Sequence, residues 1–358
     1  MKRVNTSSKK TLCIDARMLF SSGIGTYIRN ILPYLEPFFS ITLLVQKEEE
    51  KMAKERFQLP TILVDCPIYS LKEQLLLPYK IPVTTLFWSP HYTIPLLPIT
   101  AKKRIVTIHD VCHLAMPEFF PKGKRLLAFF LLKQAIRRSD LVLTVSSFSL
   151  QEMEKHSVIT VKDKNKVQVV LSGIEKKERR DVGFKGLGVN SPFILYVGNL
   201  KPHKNIERLV EAFLLLPPQY ELVLAGRNFL AGALPSHPRI RVLGEVEEDV
   251  LSLLYQNAEL LIQPSLYEGF GLTPLEAMAF GCPVVSSGLG GLFEACEGAA
   301  FYINPLSTSS LAEGMRAVLE NKELRKTLIA AGFKRVEQAS LEQAGNKVRE
   351  LFVALASS

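Results

Sequence analysis

Short apolar runs alternate with amphipathic helical patterns along the whole chain, and that alternation leaves few folds open. "TLCIDARM", "ITLLVQ", "RIVTIHD", "DLVLTVS" and "VQVVLSG" are rich in Val, Ile and Leu and apolar nearly throughout. Runs of that kind suit strands buried on both faces of a parallel sheet. Helical patterns such as "TYIRNILPYLE" and "GKRLLAFFLLKQAIRRS" fall between them. The second half repeats the scheme. "FILYVGNL", "YELVLAGR", "RIRVLGEV", "AELLIQPS" and "PVVSS" read as strands, with helical stretches at 205–215, 248–256, 272–280, 308–320 and 322–338. This grammar predicts an α/β protein of two doubly wound domains. "EKKERRDVGFKGLGVNSP" (175–192) is charged, then glycine-rich, and reads as a linker. The expected division is a first domain at 1–180, a linker at 181–191, and a second domain at 192–340. An amphipathic helix at 341–358 follows, and a return onto the first domain is its expected packing. Two such domains face to face would form a cleft lined by the carboxyl ends of both sheets, where ligands bind in this architecture.

Composition narrows the function classes. A chain of 358 residues, 47% hydrophobic and 22% charged, has material for a full core. No apolar run approaches the roughly 20 residues a membrane span needs; "LLAFFLLKQAI" meets Lys133 too early. "MKRVNTSSKK" has no apolar stretch behind it, so no secretory signal is expected. Five scattered cysteines fit a reducing compartment, the cytoplasm, better than a disulfide framework or a zinc site. Charge is uneven: residues 1–187 hold 30 Lys and Arg against 17 Asp and Glu, a net +13, and residues 188–358 hold 14 against 18, a net −4. The basic half suits an anionic partner such as a membrane surface, or is simply a solvated lysine-rich face. No basic motif interleaved with aromatics supports nucleic acid. "GKRLLAFFLLKQAIRRS" is basic enough to lie on a membrane, yet its apolar residues fill more than one face, which favours a packed internal helix.

The most informative stretch is "SLYEGFGLTPLEAMAFGCPVVSS", 265–287. Glycines follow the buried strand "AELLIQPS" directly. Gly269 and Gly271 would let the backbone approach a ligand, since no Cβ intervenes. A helix begins near Leu272 or Thr273, with Pro274 in its first turn and Gly281 beyond its end. Its free N–H groups would sit at the carboxyl end of a strand, where phosphate binds. Thr273-x-x-Glu276 is also a formal capping box. Glu276 is then either a cap or a ligand, and the start of the helix separates the two. "LYVGNLKPHKN" places His203 and Lys204 after the first strand of the second half, where Lys204 meets either a diphosphate or solvent. "SSGIGTYIRN" is a glycine-rich turn between strand and helix, and "TIHDVCHL" puts His109 and Asp110 at a strand end.

Together, Glu268-x7-Glu276 in its glycine context, "LYVGNLKPHKN", "SLLYQNAELLIQPS", "IDARMLFSSGIGTYIRN", "TIHDVCHL", "LTVSSFS" and "YINP" resemble family 4 of the retaining glycosyltransferases, over nearly the whole chain. The resemblance implies the GT-B fold, two Rossmann-like domains facing across a cleft. It implies transfer of a hexose, mannose-type or glucose-type, from a GDP- or UDP-linked sugar to a saccharide or lipid-linked acceptor in surface polysaccharide or glycolipid synthesis, at the inner membrane face. It assigns Glu268 to donor-sugar hydroxyls beside the amides of Gly269, Phe270 and Gly271. The Leu272 and Thr273 amides would face the diphosphate, Glu276 the ribose, and Lys204 the leaving charge. Gly244, Glu245 and Val246 would lie along the base. Gly23 and Gly25 would border the phosphates, and His109 the reacting face of the sugar. No cofactor is implied. No Asp-x-Asp motif occurs, so no obligatory metal is expected. Many family members carry arginine where this chain has Asn199, so Arg227 or His203 is expected to compensate. That departure also leaves a second reading: a catalytically weak or silent nucleotide-sugar-binding subunit supporting a partner transferase.

Overall fold

The computed structural model describes residues 9–21, 23–175, 189, 192–227 and 237–358. The chain packs as two units, one of residues 1–172 with 341–358 and one of residues 173–340. The linker expected at 181–191 lies, Val189 apart, outside the described residues.

The first unit is built on seven parallel strands: β1 (Lys10–Asp15), β2 (Phe39–Val45), β3 (Thr61–Leu63), β4 (Thr84–Ser89), β5 (Ala101–Ile108), β6 (Leu141–Thr144) and β7 (Val167–Val169). Their order is β3-β2-β1-β4-β5-β6-β7. The second unit repeats the plan with β8 (Phe193–Val197), β9 (Glu221–Ala225), β10 (Ile240–Gly244), β11 (Leu260–Gln263), β12 (Val284–Ser286) and β13 (Phe301–Tyr302), ordered β10-β9-β8-β11-β12-β13. Both are doubly wound sheets whose order reverses once, beside β1 and β4 in one and beside β8 and β11 in the other. The reversal sends neighbouring connections to opposite faces and opens a crevice at the carboxyl ends of those strands.

Burial follows the apolar pattern. Leu12, Cys13 and Ile14 on β1, Leu86, Phe87 and Trp88 on β4, and Ile194, Leu195 and Tyr196 on β8 have essentially no exposure. The sequence pattern does not mark β3, β4 and β13. β4, "TTLFWS", occupies the centre of its sheet, but Pro82 and Pro90 bracket it and resemble loop punctuation.

The basic helix Lys122–Arg138 is not packed all round. It buries Ala128, Leu131, Leu132, Ala135 and Ile136, a helical stripe. Leu126, Leu127 and Phe130 on its other side are 71%, 53% and 48% exposed. The expectation of a fully internal helix is corrected to a helix with two apolar faces, one of them open.

The C-terminal helix, Leu341–Ser357, belongs to the first unit. Phe352 is fully buried and meets Trp88 edge-on with ring centroids 5.4 Å apart. Gly345 lies on the ring of Tyr34, in the helix Ile24–Leu35, so closely that a Cβ would collide with it. Phe352→Ala leaves a cavity beneath the central strand and is expected to cost about 3–5 kcal/mol, measured by urea unfolding.

Candidate active site

Lys204 and Glu268 meet at the order reversal of the second sheet. β8 ends at Val197, and the chain runs through Gly198 and Asn199 into a single 3-10 turn, Pro202–Lys204. Asn205 then takes a left-handed conformation, φ 62°, which asparagine tolerates, and starts the helix Ile206–Leu214. Its side-chain amide donates to the carbonyls of Pro264 (3.2 Å) and Pro305 (2.7 Å). The Leu266 amide donates to the His203 carbonyl at 2.8 Å. These bonds tie the loop after β8 to the loop after β11.

Between the two loops Lys204 Nζ donates to Glu268 Oε1 at 2.5 Å. Ser265 Oγ (2.8 Å) and Gln263 Nε2 (3.1 Å) donate to the same oxygen. Burial pushes the Glu268 carboxyl up. The Lys204 ammonium and its hydrogen bond, the Ser265 hydroxyl and the nearby His203 outweigh that and hold it below its ordinary value. Glu268 is therefore an anion at neutral pH.

The helix after these glycines runs Leu272–Ala279, with Gly271 as N-cap and no side chain capping it. That start decides the question posed by Thr273 and Glu276. Thr273 lies inside the helix, so no capping box forms, and Glu276 Oε2 accepts a hydrogen bond from the buried Tyr255 hydroxyl at 2.9 Å. The amides of Leu272 and Thr273 belong to the uncapped first turn. Gly271 adopts φ 124°, and the space its Cβ would occupy is taken by Leu292 and Ala295, so the turn and the chain's own packing by themselves require glycine there. Phe270 likewise buries its ring in the unit, with only its backbone left for the expected role.

Further along the same edge, Gly244 turns at φ 69° at the end of β10, followed by Glu245 and Val246. Arg227, just past β9, pairs with Glu245, donating from Nε at 2.7 Å. The residue expected to replace the missing arginine is thus engaged with one expected to line the base. At the position of that arginine, the Asn199 carbonyl accepts from the Tyr196 hydroxyl at 3.3 Å, and Asn199 Oδ1 is buried without a hydrogen-bond partner among the described residues. His203 is buried.

In the first unit, His109 follows β5 and is bonded to the loop after β4: its Nε2 lies 2.9 Å from the Pro90 carbonyl. A carbonyl only accepts, so Nε2 carries the proton. Burial is the main reason the imidazole's pKa is lowered, and His109 is neutral at pH 7 with Nδ1 as an acceptor. The ring meets Tyr27 edge-on at 5.1 Å. Tyr27 lies on the helix that Gly23, at φ 69°, introduces, which brings the glycine turn and His109 together. Gly25 is explained by packing, because a Cβ there would press on the carbonyls of Met18 and Leu19.

Residue patterns miss the supporting groups: Tyr255 beneath Glu276, Ser265 and Gln263 around Glu268, and a buried ionic cluster of Asp15, Arg17, Glu73 and His91 in the first unit. The one hint is Asp15-x-Arg17 at a strand end, which is an unusual place for two charges. Among the described residues no group of three or more His, Cys, Asp or Glu is arranged to hold a metal ion.

Residues 161–335 match the family described as glycosyl transferases group 1. O-antigen chain mannosyltransferase B of Escherichia coli is 28% identical over 268 residues, 69% of this chain and 69% of that protein. Matches to further curated relatives span 59% and 53% of their length. Sucrose-phosphate synthase from Thermosynechococcus elongatus superposes with a TM-score of 0.79 at 19% identity, over 98% of this chain and 100% of that one. Anabaena Alr3699/HepE, solved in complex with UDP-glucose, gives 0.74 at 18% identity, over 96% and 100%. The two parallel sheets and their helices have the GT-B fold. Residues 161–335, within that fold, thus resemble the group 1 glycosyltransferases.

Proposed function

We propose that this protein transfers a hexose, with retention, from a nucleoside diphosphate sugar to a saccharide or lipid-linked acceptor in the synthesis of a surface polysaccharide or glycolipid. The observation that carries this reading is the Lys204–Glu268 pair beside the uncapped helix start at Leu272. The mannosyltransferase relative and the neighbour bound to UDP-glucose support the substrate class.

The chemistry requires positive charge and hydrogen-bond donors where the diphosphate departs. Lys204 has three donors and spends one on Glu268, so two remain for phosphate oxygens. The Leu272 and Thr273 amides add the partial positive charge of a helix N-terminus. All three bonds to Glu268 converge on Oε1, and Oε2 is the acceptor assigned to donor-sugar hydroxyls. Tyr255 orients Glu276 toward the ribose hydroxyls, and Gly244, Glu245 and Val246 border the base. Neutral His109 offers Nδ1 to a sugar hydroxyl. Asn199 contributes no positive charge, and the silent-subunit reading is not favoured. The donor set works without a metal, so EDTA is expected to leave the rate unchanged.

Acceptors anchored in lipid would bring the enzyme to a membrane surface. The open face of the helix Lys122–Arg138, with Leu126, Leu127 and Phe130 among lysines and arginines, suits an anionic surface. No described helix is long and apolar enough to cross a membrane. The wild type is expected to co-sediment with phosphatidylglycerol vesicles at low salt, and Leu126→Ser/Leu127→Ser/Phe130→Ser to lose this. Equal sedimentation with neutral vesicles would sink the membrane assignment.

A thermal-shift panel of UDP-, GDP-, ADP- and TDP-sugars tests the donor site. A true donor at 100 times its Kd adds about 2.7 kcal/mol of stability, and no shift with any of them defeats the reading. Lys204→Met is expected to lower kcat by roughly 10²–10³-fold. It also strands an anion and is expected to cost about 3 kcal/mol at pH 7.5. In the wild type the pair's stabilisation is present above the ordinary carboxylate pKa and is lost as pH falls through the lowered value. In the variant the Lys204 charge and hydrogen bond are gone and burial is opposed only by Ser265 and His203, so Glu268 rises relative to the wild type and the stability deficit should narrow toward pH 5, read from melting curves. Glu276→Gln keeps an acceptor for Tyr255 but removes the charge, and donor KM is expected to rise about 10–100-fold.

A further inference from the structure

The order reversal of the first sheet carries a second built feature. Asp15, at the end of β1, is bound bidentately by Arg17, through Nε at 2.8 Å and Nη2 at 2.7 Å. Arg17 also donates to Glu73 Oε1 at 2.5 Å, and His91 Nε2 lies 3.1 Å from Asp15 Oδ2. All four side chains are essentially inaccessible to solvent. Burying four ionisable groups is expensive, and such a network is weak support for stability by itself. Its position suggests what it holds.

A tyrosine adjoins each end of the network. Glu73 Oε2 accepts the backbone N–H of Tyr69 at 2.7 Å. Tyr69 has φ 66°, the left-handed region that a bulky residue rarely enters, and such strain concentrates where function requires it. At the other end His91 precedes Tyr92, and Ser89 Oγ donates to the carbonyls of His91 and Thr93, each at 3.0 Å. The two rings lie 5.5 Å apart, tilted by 44°, and Tyr69 is half exposed. The two hydroxyls are hydrogen-bonded to each other; burial is the main reason both phenols lie above their ordinary value, Tyr69 adds to it at Tyr92 and Asp110 adds less at both, so both keep their protons. Tyr92 is two residues from Pro90, whose carbonyl holds His109.

An aromatic pair with hydroxyl edges at a sheet reversal, Tyr69 half exposed and Tyr92 partly buried beside it, suits a pyranose. The sugar's C–H face is apolar and faintly positive and fits over a ring, while its rim of hydroxyls meets phenols and a carboxylate. We propose that Tyr69 and Tyr92 form the platform on which the acceptor saccharide stacks, and that the Asp15–Arg17–Glu73–His91 network exists to position them. This rests on the transferase reading above, because it assigns the platform to that reaction's acceptor.

Saturation-transfer NMR with methyl glycosides of mannose, glucose, galactose and N-acetylgalactosamine tests the platform directly. At least one glycoside is expected to bind the wild type, with the strongest transfer to protons of one ring face. Tyr69→Gly removes the ring but suits φ 66°, so it should keep or raise the melting temperature while losing that transfer. Tyr92→Ala should lose it as well. In turnover, acceptor KM should rise about tenfold in either variant. The nucleotide-sugar thermal shift should persist in both. Binding of no glycoside to the wild type, or undiminished transfer in both variants, would overturn the platform. Absence of any nucleotide-sugar shift in the wild type would instead overturn the transferase reading.

Discussion

Everything at both candidate sites depends on one property of parallel sheets. Parallel neighbours need crossover connections, so all strands of a sheet end on the same edge. Where strand order reverses, the two flanking connections leave in opposite directions and the edge is open. In this protein the reversal falls between β1 and β4 and again between β8 and β11. Asp15 and His91 flank the first reversal, and Lys204 and Glu268 the second. The chain reuses one topological accident twice and equips each occurrence differently.

The two ionic clusters illustrate the difference. Lys204 and Glu268 keep some exposure, 13% and 18% for their side chains, and each has hydrogen-bonding capacity beyond the pair. A pair in that state is pre-organised for a polar ligand without being sealed from it. The Asp15–Arg17–Glu73–His91 cluster is sealed, and its members spend their hydrogen bonds on one another and on nearby backbone and hydroxyl groups. Arginine's fixed fork and permanent charge let it satisfy two carboxylates at once, which a lysine would do less well. Such a cluster suits holding loops still, and the loops it holds carry Tyr69 and Tyr92.

Much of the fold was legible because parallel strands are buried on both faces and read as continuous apolar runs. Ten of them were visible that way. β4 was not, although it is central, because "TTLFWS" opens on two threonines and is bracketed by prolines, and β13 is two residues long. At the site, Lys204, Glu268 and the helix start near Leu272 were visible from glycine, proline and charge spacing. Their supports were not. Tyr255 is 21 residues from Glu276, and Glu73 is 56 from Arg17. No local pattern links residues that far apart.

The sequence alone determined the α/β class, the alternation of elements, and which charged residues sit just after strands, because these follow from continuous apolar runs, the 3.6-residue helical period and backbone-breaking residues. Only the tertiary structure decided what those charges do. It started the helix at Leu272 with Gly271 as its cap, which removed the capping box and turned Glu276 to Tyr255. It gave Gly25 and Gly271 packing reasons of their own, and it opened one face of the basic helix. The physical reason is that a side chain's role is set by its neighbours, and neighbours from distant strands meet only once the sheet has chosen its order.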